Sequence, residues 1–202
     1  ERIGTPEAVL SMQDGEHQTH VTPLVLATDY ASAVKLLIDW IDEKEIDGVL
    51  IAVGHRIVHG GPHFHEPQLL TSTLMADLRQ LTPLDRQHMP GEISLARAFQ
   101  QRFPQVPQIA CFDTAFHASQ SDVNRRFALP RRWHDAGVRR YGFHGLSYQS
   151  IVAQWGSLDP ALAQGRVVVA HLGNGASLCA IHGGRSVATT MSFSPLDGLT
   201  MG

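Results

Sequence analysis

The chain of 202 residues is 43% hydrophobic and 17% charged, a composition that supports a packed core and excludes native disorder. A formal net charge of −3 argues against a general nucleic-acid-binding protein, and no apolar run approaches the roughly 20 residues of a membrane-spanning helix. We therefore expect no nucleic-acid or membrane partner. Cys111 and Cys179 each lie in an apolar stretch and form no disulfide framework, which predicts a reducing, cytoplasmic location.

The first part of the chain alternates helical and strand patterns. Apolar residues at helical spacing follow Asp29, the expected N-cap, and predict an amphipathic helix. The segment GVLIAVG predicts a short buried strand that ends at Gly54. Two further helices, over Leu74–Leu81 and Glu92–Phe103, lead to a second strand over Gln108–Phe112. Such alternation indicates an α/β layer, in which ligands bind beyond the carboxyl ends of the strands.

The composition changes beyond residue 115, where arginine and proline become frequent. We predict a first domain over residues 1–115 and the start of a second over residues 116–202. The second region holds a helix over Ser147–Trp155 and then a β-meander, whose first strand is expected to be buried. The strands of the meander are Arg166–His171, Ala176–Ile181 and Ser186–Thr190. The turn Gly173–Gly175 between the first two offers backbone N–H groups to an anion.

Arg56 stands at the end of the first predicted strand. Its guanidinium is costly to bury without an anion, so it faces either a structural carboxylate or a ligand phosphate. Four histidines crowd the same segment and raise metal binding as an alternative: His55, His59, His63 and His65. Residues four apart on a strand are separated by about 13 Å, and the adjacent glycines exclude a helix. A zinc site is therefore disfavoured.

Three further segments carry candidate chemistry. Asp113 follows the second strand and is a candidate base, metal ligand or arginine partner, with a helix N-cap as the structural alternative. His144 precedes a helix and either donates to a phosphoryl group or is satisfied by a carbonyl in the core. Six of the 14 arginines lie within Arg125–Arg140, where a surface and interface role is favoured over phosphate contacts.

Five segments in order, GHRIVHGG, CFDTAFH, RRYGFHGLS, HLGNGAS and FSPLDGLTMG, resemble the successive signatures of the acetate kinase family. That family belongs to the acetate and sugar kinase, Hsp70 and actin superfamily. The resemblance implies an actin-like ATPase (ribonuclease H-like) α/β fold with an incomplete first domain and the start of the second. It also implies reversible phosphoryl transfer from ATP, with Mg²⁺, to acetate, giving acetyl phosphate and ADP, in a protein that is a homodimer when complete.

The resemblance also implies roles for single residues. Arg56 binds the acetyl or phosphoryl oxygens, Asp113 holds that arginine or the Mg²⁺ network, and His144 binds the moving phosphoryl group. The small apolar pocket for the acetate methyl group is formed by Val58, Leu84, Phe143 and Pro195. The nucleotide phosphates bind at the glycine turn and the strand before it, at His171, Gly173, Asn174 and Gly175. The family's metal ligands fall outside the matching segments, so none is assigned in this chain.

Two departures from the family pattern follow. Members usually read Pro-Leu-His-Asn-Pro where this chain has the segment 83–90, so the histidine is either replaced by Asp85 or moved to His88. Members are also roughly twice as long. We therefore expect a fragment that lacks a second catalytic arginine and the adenosine pocket, and that is inactive alone. Propionate or another short-chain acid is the alternative substrate, and a non-catalytic phosphate- or nucleotide-binding module is the alternative of another class.

Overall fold

The computed structural model of the chain describes residues 9–13, 19–23, 30–43 and 50–200. Within these ranges no helix is both long and apolar enough to cross a membrane. The chain divides into two compact units, of which unit 1 comprises Glu1–Val53 and Pro90–Gln108 and unit 2 comprises Gly54–Met89 and Ile109–Gly202. The domain boundary between residues 115 and 116 stays a prediction.

Unit 1 contains an antiparallel strand pair and two helices. Strand β1 (Val9–Gln13) pairs with β2 (Thr19–Pro23), and helix α1 (Tyr30–Glu43) confirms the predicted helix, in which Ala33 is buried. The predicted cap at Asp29 lies outside the described residues. Helix α3 (Met89–Arg102) begins three residues before the predicted start. Pro90 is tolerated there because the first helical turn leaves its N–H groups unpaired in any case.

Three strands form a sheet in the order β3 (Val53–Ile57), β5 (Gln108–Phe112) and β4 (Gln68–Leu69), with β4 antiparallel to β5. The prediction for β5 is confirmed. The prediction for GVLIAVG is wrong in position, because the strand begins only at Val53 and Ile51 is 87% exposed. Gly48 and Val49 lie outside the described residues.

Strand β3 extends into the motif GHRIVHGG because buried and exposed residues also alternate there. The side chains of His55 and Ile57 are buried, whereas Gly54 and Arg56 are exposed. The carbonyl of Ile57 accepts a hydrogen bond from the backbone N–H of Asp113 at 3.0 Å. This bond holds the ends of β3 and β5 side by side and brings their motif residues together.

Helix α2 (Ser72–Leu81) confirms the second helical prediction. The hydroxyl of Thr71 accepts a hydrogen bond from the N–H of Leu74 and caps the helix. Leu74, Met75 and Leu78 are buried along one face.

The β-meander is confirmed, with β6 (Arg166–Leu172), β7 (Ala176–His182) and β8 (Arg185–Thr189) all antiparallel and β7 in the centre. Its inner face packs against the long helix α6 (Gly145–Leu158), which begins two residues before the prediction. The core residues are Tyr148, Trp155, Val169, Cys179 and Ile181. Short helices complete unit 2: α4 (Asp122–Arg125), α5 (Arg131–Asp135) and α7 (Pro160–Gln164).

The expectation that β6 is buried is wrong. Val169 is 8% exposed, whereas Val168 is 67% exposed and Leu172 is 76% exposed. The strand lies at the edge of a sheet that packs on one face, so alternate side chains point away from helix α6. Three consecutive valines therefore do not indicate burial on both faces here.

Helix α6 starts at a glycine that has no room for a side chain. A Cβ at Gly145 would lie 2.2 Å from the carbonyl oxygen of Asp113, whereas a Cβ at Gly156 in the same helix would meet nothing within 4 Å. We expect Gly145→Ala to lower the free energy of unfolding by about 1–3 kcal/mol. Gly156→Ala is the matched control and should raise it by about 0.5–1 kcal/mol. Urea denaturation measures both, and equal effects would contradict the prediction.

Candidate active site

Unit 2 contains a cleft of about 400 Å³ that gathers most of the predicted site residues. Its lining combines cationic, acidic, imidazole and apolar side chains with part of the glycine turn: Arg56, Val58, Gln87, His88, Asp113, Phe143, His144, Asn174, Gly175, Met191, Pro195 and Leu196. Leu84, His171 and Gly173 are not among the lining residues. Segments up to about 140 positions apart in the chain therefore share one cleft.

Arg56 and Asp113 form a two-contact ion pair at the sheet edge. The Arg56 Nη2 lies 2.5 Å and its Nε 3.0 Å from Asp113 Oδ2. The Asp113 side chain is 3% exposed and the Arg56 side chain 54% exposed, so the carboxylate anchors a guanidinium that still reaches the cleft. Burial raises the pKa of Asp113, and the adjacent Arg56 opposes that rise. Asp113 is not a helix cap, because its carboxylate is directed to Arg56.

His144 occupies a left-handed backbone conformation directly before α6. Its φ of 61° is the one positive value at a non-glycine residue within the described ranges. A bulky residue is held there only where the surrounding structure fixes it, as happens often at functional sites. Its Nδ1 lies 2.9 Å from Ser177 Oγ, and burial together with nearby His171 and Arg56 lowers its pKa to about 4. The imidazole is therefore neutral at pH 7.

His171 lies beside the cleft and supports its wall. Its ring stacks on that of His144 with centroids 4.0 Å apart, and its Nδ1 lies 3.0 Å from Ser147 Oγ. Behind it, the N–H of Gly173 donates to the carbonyl of Gly175 at 3.1 Å and closes the turn. The exposed Asn174 and the adjacent Gly175 remain at the cleft surface.

The apolar side of the cleft includes residues that sequence reasoning missed. Val58, Phe143 and Met191 are buried, and Leu196 is 78% exposed at the rim. Met191 follows β8 in a segment without a polar motif, so no local pattern singled it out. Leu84 ends a short 3₁₀ helix, and its role as a wall of an acetate pocket stays a prediction.

The structure places His88, and not Asp85, at the cleft surface. Asp85 is buried, and its carboxylate accepts hydrogen bonds from the backbone N–H groups of Gln87 and His88. The same carboxylate lies 3.0 Å from His88 Nδ1 and orients the ring. In the segment 83–90, His88 therefore lines the cleft and Asp85 supports it from the buried side. The departure of this segment from the family pattern was the sequence signal for this arrangement.

The arginine-rich segment lies outside the cleft lining. Arg125 and Arg126 pair with Asp122 at 3.2 and 3.5 Å, and Arg139 and Arg140 lie over aromatic rings. Arg126, Arg131 and Arg132 are exposed, as the expected surface role requires, whereas Arg125, Arg139 and Arg140 are half-buried.

Comparison with known proteins identifies the relatives of this chain. Residues 1–202, the whole chain, match the model of the Acetokinase family. The chain belongs to the acetokinase family. It is 46% identical to an acetate kinase of Methylocella silvestris over 99% of this chain and 52% of that protein. It is 49% identical to an acetate kinase of Rhodopseudomonas palustris over 90% of this chain and 46% of that protein.

Solved structures of a propionate kinase and an acetate kinase confirm the predicted α/β fold. A propionate kinase from Francisella tularensis is 34% identical with a TM-score of 0.86, covering 100% of this chain and 52% of that one. An acetate kinase from Entamoeba histolytica is 28% identical with a TM-score of 0.81, covering 95% and 49%. This acetokinase-family chain thus spans about half the length of the curated relatives it matches.

Buried histidines give this acetokinase-family chain an acid-sensitive stability. Burial lowers the pKa of His117 to about 4, although its hydrogen bond to the carbonyl of Phe143 opposes this. The unfolded chain, with a histidine pKa near 6.5, binds this proton first as the pH falls. The contribution is complete above about pH 6.5 and is lost towards pH 4.

We expect the free energy of unfolding to fall by about 1 kcal/mol per pH unit for His117 between pH 6 and 5. His59, which burial also gives a pKa of about 4, adds to the slope. Urea midpoints at pH 7, 6 and 5 measure the effect. His117→Gln should flatten the dependence, and an unchanged slope in that variant would show that other groups carry it.

Proposed function

We propose that the protein to which these residues belong transfers the γ-phosphoryl group of ATP reversibly to acetate, giving acetyl phosphate and ADP. One observation carries this proposal: the guanidinium of Arg56, the carboxylate of Asp113 and the imidazole of His144 line a single cleft that also includes Asn174 and Gly175 of the glycine turn. Phosphoryl transfer needs such positioned cationic and hydrogen-bonding groups more than it needs a covalent catalyst.

The three groups differ in their roles. Acetate is already ionised at pH 7, so its attack on the phosphoryl group needs no general base. Arg56 stabilises the negative charge of the equatorial oxygens in the transition state, and Asp113 fixes the guanidinium by two contacts. His144 is neutral and contributes a hydrogen bond to the same oxygens without adding charge.

The apolar side of the cleft suits the methyl group of a short acid. Val58, Phe143 and Met191 offer buried apolar surface beside the ion pair. Propionate is the second candidate, because a relative of known structure is a propionate kinase and one methylene in such a pocket changes binding by only about 1–3 kcal/mol. The ratio of kcat/KM for acetate and propionate decides between them.

Mg²⁺ belongs to the proposal only as the companion of ATP. In the part of the chain that the structure describes, no three His, Cys, Asp or Glu side chains group to hold a metal ion. The carboxylate that lines the cleft, Asp113, is committed to Arg56. The described residues thus do not fit a magnesium site, and we derive no step through the metal. A homodimer and a cytoplasmic location complete the proposal for the whole protein.

Hydroxamate trapping of acetyl phosphate tests the proposal in two proteins. The 202-residue chain alone should give a signal near background, and a turnover above about 1 s⁻¹ would contradict that expectation. The second protein, here called the completed protein, joins this chain to the remaining half of the Methylocella silvestris relative. It should turn over at about 1–100 s⁻¹. A folded, ATP-binding but inactive completed protein would support the non-catalytic module instead.

A further inference from the structure

A chain of hydrogen bonds runs from the core of unit 2 to His144. The hydroxyl of Tyr148 lies 2.5 Å from Ser177 Oγ, and Ser177 Oγ lies 2.9 Å from His144 Nδ1. Tyr148 sits one turn into helix α6, and Ser177 lies on the inner face of strand β7. Two packed elements therefore hold the imidazole from behind.

Both hydroxyls are sealed from water, which makes a proton count possible. Tyr148 and Ser177 are each 0% exposed. Among the described residues, the only polar atom at hydrogen-bonding distance from the Tyr148 hydroxyl is Ser177 Oγ. If His144 Nδ1 carried the proton, three protons would share the two hydrogen bonds, and either the phenol or the serine proton would be buried without an acceptor. Such an orphaned donor costs about 1–3 kcal/mol.

When both hydrogen bonds instead run from Tyr148 towards His144, every hydroxyl proton has an acceptor. Tyr148 donates to Ser177, and Ser177 donates to His144 Nδ1, which must then be the unprotonated ring nitrogen. Burial raises the pKa of Tyr148, so its phenol keeps the proton that this chain of bonds requires. The proton of the neutral imidazole is left on Nε2, the nitrogen on the side of the ring away from Ser177.

We propose that Tyr148 and Ser177 are positioning residues that fix His144 as the neutral Nε2–H tautomer, a hydrogen-bond donor to the cleft. Its use in phosphoryl transfer rests on the proposed function, but the tautomer itself does not. Stacking on His171 and the left-handed backbone hold the ring plane, and the two hydroxyls select the nitrogen that donates. A donor prepared in this way needs no rearrangement when charge develops on a bound oxyanion.

The test is the ¹⁵N NMR spectrum of the histidine rings in the labelled 202-residue chain at pH 7 without substrate. Two-bond correlations distinguish a protonated from an unprotonated ring nitrogen, and the spectrum of His144→Gln assigns the His144 signals. We expect a protonated Nε2 and an unprotonated Nδ1. A protonated Nδ1, or a charged ring, in the unmodified chain overturns the proposal.

Variants test whether Ser177 and Tyr148 select the tautomer of His144. Ser177→Ala should move the two His144 nitrogen shifts closer together, because Nδ1 then loses the hydroxyl that keeps it unprotonated, and Tyr148→Phe should move them in the same direction. Tyr141→Phe is the matched control, since it deletes a hydroxyl that donates to the carbonyl of Gly137 instead. Unchanged His144 shifts in a folded Ser177→Ala variant overturn the proposal.

The signals of His117, whose Nδ1 contacts Ser186 instead, report whether each variant is folded. Where a variant unfolds, the spectrum of the unmodified chain decides. A completed protein without kinase activity would end the proposed function and leave the tautomer measurement unaffected.

Discussion

Replacing Arg56 by lysine is expected to lower acetyl phosphate formation by the completed protein by about 10³-fold. Arginine binds Asp113 through Nε and Nη2 and still presents the guanidinium to the cleft, because half of its side chain is exposed. A lysine ammonium keeps the charge but cannot make both contacts and reach a phosphoryl oxygen at the same time. The loss should appear in kcat, measured by hydroxamate trapping at saturating ATP and acetate.

The chain supplies a matched control for this substitution. Arg102 contacts Asp42 through the same two nitrogens, with Nε at 3.0 Å and Nη2 at 2.6 Å, and it belongs to unit 1 and is not one of the residues that line the cleft. Arg102→Lys should leave kcat within about twofold of the unmodified value, since a surface ion pair contributes about 1 kcal/mol or less. Equal losses in the two variants would mean that Arg56 acts through stability alone.

Replacing Asp113 by asparagine is the second substitution with a large expected effect, about 10²-fold or more on kcat. The amide is isosteric but neutral, so it cannot hold the guanidinium of Arg56 by charge in the orientation that the two contacts give it. The backbone role of residue 113 is retained, because its N–H donates to Ile57 and its carbonyl accepts from Gly145. The fold should therefore persist while the cleft loses its ordered cation.

Stability separates this interpretation from a structural one. Burial raises the pKa of Asp113 although Arg56 and the nearby histidines oppose that rise, so the site as a whole disfavours the charged carboxylate. Removing the charge relieves that cost, and the half-exposed Arg56 can be hydrated. We expect the free energy of unfolding to change by about 1 kcal/mol or less, as for Asp42→Asn in the matched pair. An Asp113→Asn variant that loses several kcal/mol in urea denaturation would assign the pair a structural role.

Periodicity predicted the elements that pack on one face in a regular way. Helix α2, strand β5 and the strands of the meander lie within two residues of their predicted bounds, because apolar runs between turn residues mark where such elements begin and end. The predicted position of strand β3 was wrong because the prediction relied on the apolar run GVLIAVG. The alternation of buried and exposed positions around His55 and Ile57 is a weaker pattern in the sequence. The pairing of β3 with β5, which is non-local, decided where the strand lies.

The sequence by itself determined the family, because five ordered motifs are specific in combination, and it determined the residue types available for chemistry. Only the tertiary structure decided how they are used. It joined Arg56 to Asp113 across 57 positions and placed His88 in front of Asp85. It also set Ser177 and Tyr148 behind His144. Hydrogen bonds and ion pairs depend on distances of a few ångströms, and non-local packing sets those distances, which no local pattern encodes.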